Sequence, residues 1–167
     1  MAKFALLAFL VMPVWAAEAV VPGIPRFHQV DEHVYRGGQP AATSWNALAA
    51  LGVTTVIDLR APGKRSRQEA EAVEAAGMRY FNVPFAALAA PRDEQIAQVL
   101  ELLESGGGVF LHCERGADRT GTVIACYRIA HDHWDNQKAL AEAVLYGMSS
   151  FEFGMRRYIL QYSARAQ

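Results

Sequence analysis

His112-Cys113-Glu114-Arg115-Gly116-Ala117-Asp118-Arg119-Thr120-Gly121 decides the fold, because it places a cysteine and an arginine six positions apart at the end of the apolar run Val109-Phe110-Leu111. A helical pattern follows directly, so the reading is strand, loop, helix. That layout suits attack of sulfur on a phosphoryl group. The thiolate is the nucleophilic form of cysteine, and convergent N–H groups at a helix N-terminus beside a fixed guanidinium favour an anion there. Cys113 is thus the candidate nucleophile, and Arg119 the candidate rim residue, whose planar fork can bond two phosphoryl oxygens at once. Glu114, Arg115, Gly116, Ala117, Asp118 and Arg119 form the expected substrate cradle. Gly116 permits a turn where a side chain would clash. Thr120 is placed to donate its hydroxyl to sulfur, and His112 to brace the loop backbone.

The segment resembles the signature loop of the cysteine-dependent protein tyrosine and dual-specificity phosphatases, His-Cys-x5-Arg-Ser/Thr. Val34-Tyr35-Arg36-Gly37-Gly38-Gln39-Pro40 resembles the first strand and turn of bacterial and compact atypical members, and Val56-Ile57-Asp58-Leu59-Arg60 their second strand. The resemblance implies hydrolysis of phosphomonoesters through a phosphocysteine on Cys113, with no metal and no cofactor. It implies a phosphorylated protein as substrate, with inositol phosphates or phosphoinositides as the alternative.

A proton is needed for the leaving oxygen. The family supplies an aspartate from a separate loop ahead of the cysteine, and Asp93 is the one aspartate in that zone. Asp93 also precedes the helical pattern Ile96, Val99, Leu100, Leu103 and could be its N-cap. Asp118 is the rival, because Gly-x-Asp-Arg-Thr is similar to the signature of myotubularin and Sac-type phosphoinositide phosphatases. Its bland role is capping the next helix or pairing with a cation. Both readings stay open at this stage.

A length of 167 residues allows one domain with a real core, and a net charge of -1 excludes an electrostatic footprint for nucleic acid. Lys3, the apolar stretch Phe4 to Trp15 and the small residues after it read as an export signal over residues 1–19, cut after 16 or 19. The run falls short of the ~20 apolar residues of a membrane span. The expectation is a periplasmic or secreted domain over residues 20–167, monomeric and not inserted in a membrane once the signal is cleaved. Cys126, the second cysteine, has apolar neighbours and reads as core.

Strands are expected at Val34-Tyr35, Val53–Leu59, Tyr80–Val83 and Val109–His112. Helices are expected from Thr43 or Ser44 through Leu51, from Ser66 to Ala76, over 93–104, and over roughly 119–131, 136–146 and 150–162. Ser66-x-x-Glu69 and Ser149-x-x-Glu152 read as capping boxes. The alternation implies an α/β domain with a mostly parallel sheet of four to five strands flanked by helices, and a site at the strand C-termini. Arg36, Arg60 and the basic cluster Lys64-Arg65-Ser66-Arg67 gather in loops on that edge. Asp58 and Arg60 are expected to tie the strand end to neighbouring loops. Sulfurtransferase or arsenate reductase chemistry, and phosphate binding without turnover, are the competing functions.

Overall fold

The computed structural model describes residues 21–164, so the leader expected over 1–19 lies outside the described residues. The chain runs β1 (His28–Gln29), β2 (Val34–Gly37), α1 (Trp45–Ala50), β3 (Val53–Asp58), α2 (Lys64–Ala75), β4 (Arg79–Asn82), α3 (Asp93–Leu103), β5 (Gly108–His112), α4 (Asp118–Ala130), α5 (Asn136–Leu145) and α6 (Phe153–Gln161). The five strands lie in the order β1-β2-β5-β3-β4. Only β1 runs antiparallel, to β2; every other pairing is parallel. The α/β architecture expected from the alternation is therefore present. The short β1 was missed because His28–Gln29 carries no run of strand-forming residues.

β5 is the central strand, so its side chains are covered on both faces, as in parallel sheets generally. Val109 and Leu111 enter a core with Val99 and Leu103 of α3 and Val123 and Ile124 of α4. Phe110 points to the opposite core, with Trp45 and Leu48 of α1 and Val73 of α2. This alternation fixes the face of His112 as well: it lies on the α2 side, fully buried. Helices α5 and α6 pack on α4 through Ala125, Ala139, Ala143, Met155 and Ile159. Among the described residues, no helix is long and apolar enough to cross a membrane.

Neither expected capping box forms. α2 starts at Lys64, and Ser66 is its third residue: Ser66 Oγ accepts from Gly63 N at 2.7 Å and donates to Gly63 O at 3.0 Å. The basic residues around it start the helix instead of preceding it, and Glu69 is released to turn inward. Ser149 also fails to cap a helix. Its N–H donates to Asp118 Oδ1 at 2.9 Å and its Oγ accepts from Phe151 N at 3.2 Å. Residues 149–152 form a turn ahead of α6, with Glu152 at the N-cap position.

Candidate active site

Cys113 leaves the C-terminal end of β5, between the ends of β2 and β3, and is 2% exposed. The loop after it is shaped by what holds its carbonyls. His112 Nδ1 lies 3.3 Å from Cys113 O. Gln39 N donates to Glu114 O at 3.2 Å, Arg26 Nη1 to Arg115 O at 3.1 Å, and Arg36 Nη2 to Gly116 O at 3.0 Å. Each of these peptides is trans, so its N–H points away from its carbonyl. Outward-held carbonyls on residues 113–116 therefore turn the N–H groups of Glu114 to Ala117 to the other side. With the N-terminus of α4 these groups make an anion nest.

Two close approaches make the turn possible. Gly116 has φ +71°, and a methyl there would collide with the backbone of Gly37 and Gly38. A methyl on Gly38 would lie 3.1 Å from Arg115 C. The end of β2 thus forms the floor of the loop. Arg36 lies fully buried beneath it, with its guanidinium 4.6 Å from the centre of the Tyr146 ring. Burial pushes its pKa down to about 10, while the negative charges of Glu142, Tyr146 and Cys113 act to raise it. Arg36 therefore remains a cation at neutral pH, beside the thiol position.

Arg119, in the first turn of α4, donates from Nη1 to Leu59 O at 3.3 Å, which ties it to the end of β3. Thr120 does not make the expected bond to sulfur. Its Oγ1 is buried and has no partner among the described residues. His112 does brace the loop, and its other nitrogen shows what braces His112: Nε2 lies 2.7 Å from Glu69 Oε1.

Glu69 is the centre of a buried network that the sequence did not disclose. Its Oε2 accepts from Arg60 Nη2 at 2.6 Å and from Gln39 Nε2 at 2.6 Å. Arg60 also donates from Nε and Nη2 to the two oxygens of Asp58, each at 2.8 Å, and Tyr80 OH donates to Asp58 at 2.8 Å. Burial works against the ionised Asp58, but the hydrogen bonds from Arg60 and the charge of His112 overcome it and lower its pKa. Asp58 and Arg60 hold the strand end, as expected. Asp58, Glu69 and His112 offer ligand atoms within 4.8 Å of one another. Arg60 already bridges both carboxylates, so a divalent ion there would have to displace an arginine with three short bonds. Spacing on α2 held a signal for Glu69, since Ser66, Glu69 and Val73 share its buried face.

The two acid candidates have other partners. Asp93 is the first residue of α3, not its cap: Arg92 is at the N-cap and Gln95 reaches back to its N–H at 2.9 Å. Asp93 Oδ1 accepts from Tyr158 OH of α6 at 2.8 Å. Asp118 accepts Ser149 N on one oxygen and Arg115 Nη2 on the other, both at 2.9 Å. Of the basic cluster, Arg65 pairs with Glu114 at 3.1 Å on the loop rim. Cys126 is fully buried in α4 and, like Cys113, is a free cysteine. Burial pushes its thiol pKa well up, which makes it an inert core residue.

The family model described as a dual-specificity tyrosine phosphatase fused to NAD+ kinase matches residues 23–159. The chain belongs to the dual-specificity, tyrosine-phosphatase-like family. Dual specificity protein phosphatase TpbA of Pseudomonas aeruginosa is 33% identical over 133 residues, covering 78% of this chain and 57% of that protein. The chain thus spans little more than half of that relative's length. The crystal structure of P. aeruginosa TpbA, as a cysteine-to-serine variant in complex with phosphotyrosine, superposes with a TM-score of 0.72 at 26% identity, covering 90% of this chain and 91% of that one. Inositol diphosphatase DSP2 of Oryza sativa is 28% identical over 127 residues, covering 68% of this chain and 57% of that protein. The residues matched by the family model include the Cys113–Arg119 loop.

Proposed function

We propose that this chain hydrolyses phosphomonoesters, with phosphotyrosine on a protein as the preferred substrate. One observation carries the reading: four successive loop carbonyls, those of Cys113 to Gly116, are held to one side, so the loop amides that follow Cys113 turn to the other. In this reading Cys113 attacks phosphorus while the amides and the Arg119 fork hold the equatorial oxygens. The leaving oxygen takes a proton, and water then cleaves the S–P bond of the phosphocysteine.

The phosphotyrosine complex of TpbA supports an aryl substrate. Leu88, Phe151 and Phe153 are strongly exposed, and their segments meet through Ala90 and Gly154 beside the turn that docks on Asp118, which offers apolar surface to an aryl group. The rice relative raises inositol phosphates as the second reading. Against it, three of the cations near the loop are already paired within the chain: Arg65 with Glu114, Arg115 with Asp118, and Arg60 with Asp58 and Glu69. A densely phosphorylated ring needs free cations. Export through residues 1–19 and a monomeric domain complete the proposal.

Phosphate release from a phosphotyrosyl peptide and from inositol phosphates, with and without chelator, tests it. Chelator-resistant release that favours the peptide and vanishes in Cys113→Ser supports the reading. Retained turnover in Cys113→Ser would overturn it.

A further inference from the structure

Asp93, Asp118 and Glu152 lie around the loop or on the segments that adjoin it, and they differ in what occupies their oxygens. Asp93 accepts from Tyr158, and both oxygens of Asp118 accept hydrogen bonds. Glu152 is 7% exposed, and its Oε2 is buried with no hydrogen-bond partner among the described residues. A buried carboxylate oxygen without a donor is costly, and a protonated carboxylic acid in the same place costs much less.

The surroundings of Glu152 are those of the active loop. The charges it feels are those of Asp118, Arg115 and Arg119, all from the loop and the first turn of α4. The hydrogen bond from Ser149 N to Asp118 locks the turn carrying Glu152 onto that helix start. On its other side, Gly154 packs so tightly on the segment before α3 that a methyl there would lie 3.0 Å from Ala90 N. That segment reads Phe85-Ala86-Ala87-Leu88-Ala89-Ala90-Pro91-Arg92 and contains no acid. Glu152 therefore stands between a loop that binds the phosphoryl group and a neighbouring loop that brings no proton of its own.

We propose that Glu152 is the group that donates the proton to the leaving oxygen and later accepts one from the attacking water. The assignment rests on the phosphatase reading above. In the first step the Cys113 Sγ–P bond forms and the P–O bond to the leaving group breaks. The Glu152 proton passes to that oxygen and leaves a carboxylate. In the second step a water oxygen bonds to phosphorus, the S–P bond breaks with its electron pair returning to sulfur, and the water proton returns to Glu152. Burial, with the negative charge of Asp118 beside it, pushes the Glu152 carboxyl above the usual carboxylate range, while Arg115 and Arg119 pull it back. That is the direction a proton donor at neutral pH requires.

The test compares leaving groups. Glu152→Gln, Asp93→Asn and Asp118→Asn are assayed on phenyl phosphate, a poor leaving group, and on p-nitrophenyl phosphate, a good one, across pH. Glu152→Gln is expected to lose about 10²-fold or more in kcat/KM on phenyl phosphate, to lose much less on p-nitrophenyl phosphate, and to lack the basic limb of the pH profile. Equal losses on both substrates, an unchanged pH profile, or the same signature in Asp93→Asn instead, would each overturn the assignment. Should Glu152→Gln fail to fold, Glu152→Asp decides: slowed phenyl phosphate turnover with the basic limb kept supports it, and an unchanged rate contradicts it. If wild type hydrolyses neither ester, the phosphatase reading itself fails, which is a separate result from a Glu152 failure in an active enzyme.

Discussion

Two groups of carboxylates lie on either side of the same loop, and they are finished to different degrees. On the α2 side, Asp58 and Glu69 are fully engaged by Arg60, Tyr80, Gln39 and His112. On the α6 side, Asp118 is engaged but Glu152 keeps a buried oxygen without a partner among the described residues. The first arrangement is rigid: it fixes the ring of His112, which in turn holds the first carbonyl of the loop. The second leaves free energy uncollected, as sites of chemistry commonly do at the expense of stability. With Glu152 as the proposed proton donor, the contrast separates the scaffold from the reaction.

The largest expected effect comes from breaking the finished side. Glu69→Ala leaves Arg60 buried beside one carboxylate instead of two and removes the partner of His112, and such losses cost about 3–5 kcal/mol. Urea unfolding should show it as a large fall in midpoint. Glu152→Gln should leave the same midpoint unchanged or slightly higher, since it removes a group that the fold does not satisfy. If the two substitutions cost alike, the distinction between the two sides collapses.

Acid sharpens the contrast. The Asp58 carboxyl titrates lower in the folded chain than its ordinary value near 3.8, so its contribution to stability is fully present above that value. It is lost as pH falls through the lower folded-state value. Glu152 is shifted the opposite way and loses rather than gains stability when it ionises. Unfolding followed from neutral pH downward should therefore show Asp58→Asn converging with wild type at low pH. A gap that persists unchanged below the ordinary aspartate range would contradict the network as drawn.

The smallest effect belongs to the surface. Arg65 and Glu114 pair across the rim with both side chains well exposed. Arg65→Ala should change stability by no more than about 1 kcal/mol, and salt should erase the difference. A larger loss in calorimetry would show that the rim pair holds the loop.

Much of this was legible in the sequence. The run Val109-Phe110-Leu111 before His112-Cys113, and the β-branched stretch from Val53, announced the central parallel strands. Cys113, Arg119, Gly116 and the bracing role of His112 followed from residue type and spacing within ten positions of chain. The network around Glu69 was not legible, because its partners come from the loops after β2 and β3 and from β5, and meet only when the sheet closes. Glu152 was hidden for a similar reason. Its spacing from Ser149 imitated a cap, and only the turn that docks on Asp118 reveals what surrounds it. The carbonyl-holding role of Arg26 has no local sequence signal, since it depends on a contact across 89 positions.

The central claim is that this loop carries a covalent reaction on Cys113, and trapping the intermediate tests it most directly. Wild-type protein mixed with p-nitrophenyl phosphate, quenched in acid within a turnover and digested, should yield the peptide containing Cys113 with one added phosphoryl group. The same peptide from Cys113→Ser should show no turnover-dependent phosphorylation. An active wild type with no phosphoryl group on Cys113, or with the label on another residue, would contradict the account.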